Sequence, residues 1–394
     1  MARAQSTSAG GDGIKVGDGR LHPSVQADTH YVTDPGYTTN SPDDMVLVIR
    51  PGLDFELPSD KLDLKFLGDV EYQRYLGVRS ASTRDYSTFA GRAGLTSVIN
   101  KKSALQLRLH ETLTRDADPG QVAVGKRLLH VVNDVGLGAE FRPGGGALIF
   151  SADYSFFLDR YDRSDNDVAV PAYLDNMRHN PRLRVAWKFL PKTAIFLEAE
   201  GYITRFYGKA DPPSPPNPNV GSNLLLAYLG AAGSITSRIS ALLKAGYGNT
   251  FIPGSDNFNS AVGQAEVNYA FTETTGFKGG IARTAQPTSV FKYFTLNRAY
   301  LTYSQAFSGR IQTGLTLAYD YITFGSAVLG TDRSPRTDGN LVGEATFAYQ
   351  VTDLVTVSLA DRVNLLDSTY RADPSQIKIN YRHNDLFLRV SFRY

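Results

Sequence analysis

The chain has 394 residues, a net charge of +2, no cysteine, 36 glycines, 22 tyrosines and 21 phenylalanines. The near-neutral balance, without a basic cluster, offers no arm for nucleic acid, and the lack of cysteine excludes disulfides and thiolate metal sites. With a mean hydropathy of −0.24 and no apolar run of about 18 residues, helical membrane spans are excluded too. A barrel is not, because its strands hide their hydrophobicity in alternation.

At the N-terminus, Ala2-Arg3-Ala4 has the small-x-small form that ends a secretory signal, which predicts an exported protein. Residues 5–19 are polar and glycine-rich, so 1–19 are expected to form a flexible tail. The two Gly-Asp-Gly triplets within it lack the regular period of a calcium-binding repeat. From residue 20 to 394 one domain is predicted.

That domain reads as strands. Leu21, Val25, Ala27 and Tyr31 alternate with His22, Gln26, Asp28 and His30. Met45, Leu47, Ile49, Leu53 and Phe55 alternate with Arg50, Asp54 and Glu56, and Leu62, Leu64, Phe66, Val70 and Tyr72 with Asp63, Lys65, Asp69 and Glu71. The pattern continues over 84–98, 104–114, 128–142, 147–160, 172–189, 193–206, 223–235, 239–251 and 260–271. It resumes over 275–285, 291–305, 310–323, 339–351, 354–365 and 377–394, which makes eighteen strands.

The connections set the topology. Tight turns recur at residues 58–61, 100–102, 143–146, 191–192, 236–238, 272–274, 308–309 and 352–353. Between them lie longer loops rich in Asp, Pro and Ser, notably 33–43, 115–126, 160–170, 207–221 and 325–337. Short turns on one side and long loops on the other predict an all-β, transmembrane, antiparallel up-and-down β-barrel, with periplasmic turns and extracellular loops. A soluble sandwich also alternates. Strands of 12–17 residues disfavour it, since they exceed the ordinary ~5–6 and suit tilted strands crossing a bilayer.

Some residues fall off pattern. Glu111, Arg283 and Asp361 sit on the apolar parity, so an interface or a bulge is expected there. Pro51 and Pro181 are expected at bulges or strand ends, because a closed sheet has no edge to excuse a missing N–H. Trp187, Phe189, Tyr269, Phe271, Phe307, Tyr349, Phe392 and Tyr394 fall at periplasmic strand ends and predict one aromatic girdle. Tyr31, Tyr72, Tyr173, Tyr247 and Tyr321 would mark the other.

A search for chemistry finds six histidines without ligand spacing, no Gly-x-Ser-x-Gly elbow and no phosphate loop. Asp28 and His30 share one face of the first strand, a geometry open to an acid–base pair, but any lumen-facing strand supplies such a pair. No catalytic residue, metal or cofactor is predicted. A barrel of this size leaves an aqueous lumen, and the inward charges are its candidate site. Arg178, Arg182, Arg184 and Lys188 form a basic ladder, flanked by Asp153 and Asp159 on one side and by Glu198 and Glu200 on the other. One reading is a track for an anionic solute or polymer. The plainer and preferred one is a cross-strand ion-pair network that stiffens the wall.

The last strand, Leu386 to Tyr394, alternates to an aromatic final residue and so resembles the C-terminal strand of bacterial outer-membrane barrels, although Arg389 stands where glycine is common. The segments Gly19-Arg20-Leu21-His22-Pro23-Ser24-Val25, Pro51-Gly52-Leu53, Leu62-Asp63-Leu64 and Val70-Glu71-Tyr72-Gln73-Arg74-Tyr75 resemble a Gram-negative porin-like family associated with capsular and exopolysaccharide export. That resemblance implies an outer-membrane barrel helping to export polysaccharide, with outer-membrane lipid, the barrel assembly machinery and periplasmic secretion components as partners. Two functions are therefore expected in competition. One is a conduit for hydrophilic solutes. The other is a non-conducting, plugged barrel that anchors a trans-envelope secretion or gliding-motility assembly, with the five-proline loop of residues 208–223 as plug or contact surface.

Overall fold

The structure, a computed structural model, describes residues 11–37, 41–117, 127–162, 169–208, 221–251, 257–288, 291–325, 336–370 and 378–394. A three-residue strand, β1 (Ile14–Val16), precedes β2 (Gly19–Thr33), β3 (Asp44–Leu57), β4 (Leu62–Tyr75), β5 (Thr88–Ile99), β6 (Leu105–Asp116) and β7 (His130–Phe141). Next come β8 (Leu148–Tyr161), a short helix α1 (Ala169–Leu174), β9 (Asn176–Leu190), β10 (Thr193–Phe206), β11 (Ser222–Ser234), β12 (Ile239–Phe251) and β13 (Asn259–Ala270). The chain ends with β14 (Thr275–Pro287), β15 (Tyr293–Phe307), β16 (Ile311–Phe324), β17 (Thr337–Gln350), β18 (Val355–Ser368) and β19 (Tyr381–Arg393).

Each of β2 to β19 pairs antiparallel with its sequence neighbours, and β19 pairs with β2 from Asn384↔Thr33 to Arg393↔Ser24. The sheet is closed, with the eighteen wall strands the alternation predicts. Closure is forced by the sequence pattern: every strand has one greasy face, and an open edge would leave a row of unpaired N–H and C=O groups in lipid. The greasy face points outward. Leu183, Leu197, Leu229, Leu243 and Ile281 are each 61–63% exposed, an arrangement that water does not tolerate on this scale but lipid does.

Three expectations change. Residues 172–174 do not begin β9; they end α1, and Ala172, Tyr173 and Leu174 are buried inside the wall. Tyr173 therefore belongs to no outer ring, because a short apolar run reads alike as strand or buried helix. Pro181 and Pro51 sit at neither bulges nor strand ends. The β9–β10 ladder loses its pairs beside Pro181 and resumes in the same register, while Asn180 Nδ2 donates to the Gly201 carbonyl at 2.7 Å. The β3–β4 ladder skips residues 50–51 in the same way. Finally, the tail is partly held: β1 pairs with Gly19–Leu21 and the Gly11 N–H donates to the Arg393 carbonyl. Residues 1–10 lie outside the described residues, as do 209–220 of the five-proline loop.

The β13–β14 ladder is short. It stops at Gly263↔Arg283, whereas β14 stays paired with β15 up to Pro287↔Tyr293. Above that point the β14–β15 hairpin leaves β13 and leans into the barrel, where Thr284 meets the Tyr228 phenol of β11 and Ala285 packs with Leu224, Leu226, Phe258 and Val262. Arg283 closes the seam from the outer face. Its guanidinium donates to the Ala261 carbonyl at 3.1 Å, to Ser260 Oγ at 3.3 Å and to Asn297 Oδ1 at 2.7 Å. Its place on the apolar parity thus needs no bulge: it replaces ladder bonds that the leaning hairpin gave up. Glu111 and Asp361 also stay on the outer face, each accepting from an asparagine on the next strand, Asn133 and Asn384.

Candidate functional site: the lumen and its outer mouth

The inner face is a lattice of ion pairs. Of the basic ladder, Arg182 reaches Glu200 at 3.0 Å and Arg184 reaches Glu198 at 3.6 Å, and Lys244 of β12 adds a second cation to Glu198 at 3.1 Å. Arg178 behaves differently, lying over the Phe157 and Tyr202 rings at 4.3 and 5.7 Å. Lys188, near the turn end, is exposed and makes no ion pair among the described residues. The predicted acids on β8 turn the other way: Asp153 binds Arg108 of β6 at 2.9 Å, and Asp159 binds His130 of β7 at 2.8 Å. The ladder and its expected acids are therefore brought together on the β10 side only.

Glycine makes the Arg108–Asp153 pair reachable, since its partners stand two strands apart with β7 between them. A Cβ on Gly138 would lie 2.2 Å from Asp153 Oδ1 and 3.2 Å from Arg108 Nε. The bare backbone lets the two side chains meet across it. In a strand, inward glycine between charged neighbours is the sequence signal for such a bridge.

At the closure strand, Arg389 Nε and Nη2 donate to the two Asp28 oxygens at 2.9 and 2.7 Å. The residue that departs from the usual C-terminal pattern is thus a bidentate clasp between the last and first wall strands. His30 joins this group with Nδ1 2.7 Å from Asp385 Oδ1 and its ring stacked on Phe387.

Above the charged wall the lumen is crossed by an apolar plug at the long-loop end. Phe291, 1% exposed at the tip of the leaning hairpin, contacts Phe324 at 4.7 Å and Tyr370 at 5.4 Å between ring centroids. Leu174 of α1 comes to the same cluster from the opposite wall, and Tyr37, Leu128 and Tyr161 complete its rim. Arg336 is fully buried against it, 4.4 Å above the Phe324 ring, and donates to Asp338, which also accepts from Ser368 Oγ at 2.6 Å. Sequence reasoning offered a plug only in the five-proline loop, of which 209–220 lie outside the described residues, and did not find this one. Its one signal was Arg336-Thr337-Asp338, charges flanking a strand start where a solvated loop was expected.

The aromatics named for the turn end lie on the outer face there. Trp187, Phe189, Phe271, Phe307, Tyr349, Phe392 and Tyr394 are exposed, Tyr269 is half-buried, and Trp187 touches Phe189 with centroids 6.1 Å apart. Tyr31, Tyr72, Tyr247 and Tyr321 are exposed on the outer face toward the other end.

Closed, apolar outside and charged within, with tight turns at one end and long connections at the other, this architecture belongs to one kind of membrane. The chain is an outer-membrane β-barrel. No protein-family model matches it, and no curated protein matches it either. Among solved structures it is similar to the outer membrane protein opdK from Pseudomonas aeruginosa, with TM-score 0.47 and 11% identity over 95% of this chain and 98% of that one. It is also similar to the siderophore receptor PirA from Acinetobacter baumannii (TM-score 0.46, 10% identity, 97% and 81% covered). A third is the alcaligin outer membrane receptor FauA from Bordetella pertussis (0.45, 9%, 95% and 76%). At these values the likeness is one of barrel form, and no ligand passes from those proteins to this chain.

Proposed function

We propose that the protein is a gated conduit for hydrophilic solutes across the outer membrane, held shut at its outer mouth by the Phe291 plug. The observation that carries this reading is the lumen wall. Eighteen strands enclose more space than their own side chains fill, and the inner face is lined with ion pairs that keep it wet. A barrel serving only as an anchor has no use for a charged wall of this length. The exterior aromatics act as girdles at the two lipid interfaces. The chain carries no enzymatic activity in this reading, and its partners are outer-membrane lipid and the assembly machinery. Export of an acidic polysaccharide is the finer form of the proposal. It draws on the resemblance of the N-terminal segments to polysaccharide-export barrels and on the cations along the wall.

The plug favours the second reading, a closed barrel that anchors an envelope complex. Planar-bilayer recording separates them. Stepwise conductance from the protein, or from a variant with a loosened plug, supports the conduit. A correctly folded barrel that stays silent in both forms refutes it and leaves the anchor.

A further inference from the structure

Beneath the plug, on the inner side of β2 to β6 and of β18 and β19, lies a cavity of about 640 Å³. Six arginines, two histidines and four carboxylates line it, and Asp162, Glu344 and Asp28 outside the lining answer Arg115, Arg362 and Arg389. The four lining carboxylates are already engaged: Asp69 by Arg92 at 2.6 Å, Glu71 by Arg50, Asp385 by His30, and Asp116 by His130 at 3.4 Å. Arg127 has no carboxylate partner among the described residues, and His30 keeps one ring nitrogen without a hydrogen bond. Among the described residues Arg127 bonds only neutral acceptors, the Tyr86 carbonyl at 2.9 Å and Gln73 Oε1 at 3.4 Å, while its guanidinium lies 5.5 Å from the Tyr75 ring centroid. His30, 9% exposed, has an Nε2 that makes no hydrogen bond and stands 3.6 Å from the nearest carboxylate oxygen. One wall of the cavity is apolar, formed by Val32, Val46, Val48 and Tyr75.

We propose that this cavity binds a small, ring-bearing carboxylate, with Arg127 taking the carboxylate and the valine–tyrosine wall taking the ring face. Three features select that chemistry. An arginine held by neutral acceptors keeps its full charge for an anion, and its planar fork suits a carboxylate. His30 Nε2 is buried, 3.6 Å from Asp28 and without a hydrogen bond, and a hydroxyl or carboxylate oxygen of the ligand supplies one. The apolar wall adjoins these groups, with Val46 paired to His30 across the β2–β3 ladder and the Tyr75 ring under Arg127, so a ring held by both polar groups lies against it where a linear diacid does not. A sugar acid and an aromatic acid share this chemistry. The inference deepens the conduit reading by giving the lumen a stopping place for its solute below the gate. It moves the selective site away from the Arg182–Arg184 ladder, whose charges are answered by Glu200 and Glu198.

The test is isothermal titration calorimetry on the full chain in detergent, with galacturonate, galactose and benzoate as probes. Expected are heats for galacturonate, none for galactose, and at least a tenfold loss of affinity in Arg127→Gln. Arg127→Lys should keep the preference for the charged probe, and Arg184→Gln should bind as the parent does. Unchanged thermal melting of each variant shows that the barrel is intact. Binding of benzoate alone keeps the site and assigns it to aromatic acids. Equal affinity for galactose and galacturonate, no heat from either carboxylate, or an unaffected Arg127→Gln overturns the proposal. Because calorimetry does not depend on conduction, a conducting barrel without these heats removes the site and leaves the conduit. Heats in a barrel that never conducts do the reverse.

Discussion

Phe291→Ala is the sharpest test of the plug. The ring is 1% exposed, packs on Phe324 and Tyr370, and is one of three rings beneath the Arg336 guanidinium. Truncating a buried phenylalanine to alanine costs about 3–5 kcal/mol. Phe291 lies between β14 and β15 and outside both, so that loss falls on docking of the hairpin tip and spares the wall ladders. At roughly 1.4 kcal/mol per decade, the closed-to-open ratio should fall about a hundredfold or more. If the parent is open about 1% of the time, the variant becomes open for much of it. Single-channel recording gives the open probability, and migration of unboiled protein on a gel shows whether the wall is folded. An open probability unchanged in a folded variant would sink the gate, because a plug that loses its central ring at no cost was not holding anything.

The outer-face seam gives a second prediction: Arg283→Leu leaves the Ala261 carbonyl without its donor where β13 and β14 part. Arg283 sits four residues below the outer end of β14, where a lipid-facing arginine costs only about 0–1 kcal/mol, so the lost bonds should win by about 1–2 kcal/mol. Urea unfolding in vesicles reads this, and a variant as stable as the parent contradicts it. Trp187 is the only tryptophan in the sequence and is exposed near the turn end. Its fluorescence should be quenched strongly by lipids brominated near the headgroup and weakly by lipids brominated at the chain end; the opposite order would remove it from the girdle. Lys292, beside Phe291 and outside the strands, has its pKa lowered by burial. The open state, with an ordinary lysine, then binds more protons in the window between the lowered value and about 10.4, so closure strengthens as pH rises through that window. Open probability should fall there, and Lys292→Met should abolish the dependence.

The wall was legible because alternation is a local property that closure then rewards. Each of β2 to β19 carries its greasy face in its own residues, and the tight turns mark where it ends. Side-chain destinations were less legible. Parity put Arg182 and Glu200 on one face and adjacency made them partners, which is what occurs. The same reasoning assigned Asp153 to the ladder, yet its carboxylate crosses Gly138 to Arg108. Parity says which way a residue points but not how far it reaches over a glycine. The plug was illegible for a different reason. Leu174, Phe291 and Tyr370 lie in three separate connections, and nothing within any one of them states that they meet.

The leaning hairpin ties these observations together. Had β14 kept its full ladder with β13, the Ala261 carbonyl would be answered within the sheet and Arg283 would lose that acceptor, and Leu224, Leu226 and Tyr228 would be an apolar patch in a wet lumen, uncovered. Letting the hairpin lean inward covers that patch, carries Phe291 to the centre of the mouth, and opens the seam that Arg283 spans from outside. Three features that look like errors in an ideal barrel thus require one another. A movement that returns the hairpin to the wall would undock Phe291, release Arg283 from Ala261 and restore the missing ladder bonds in a single step. The closed state gives up those ladder bonds and is held by the apolar plug in their place. Loosening the plug should therefore favour the regular barrel over an unfolded one, which is why conductance, and not loss of the fold, is the expected consequence of Phe291→Ala.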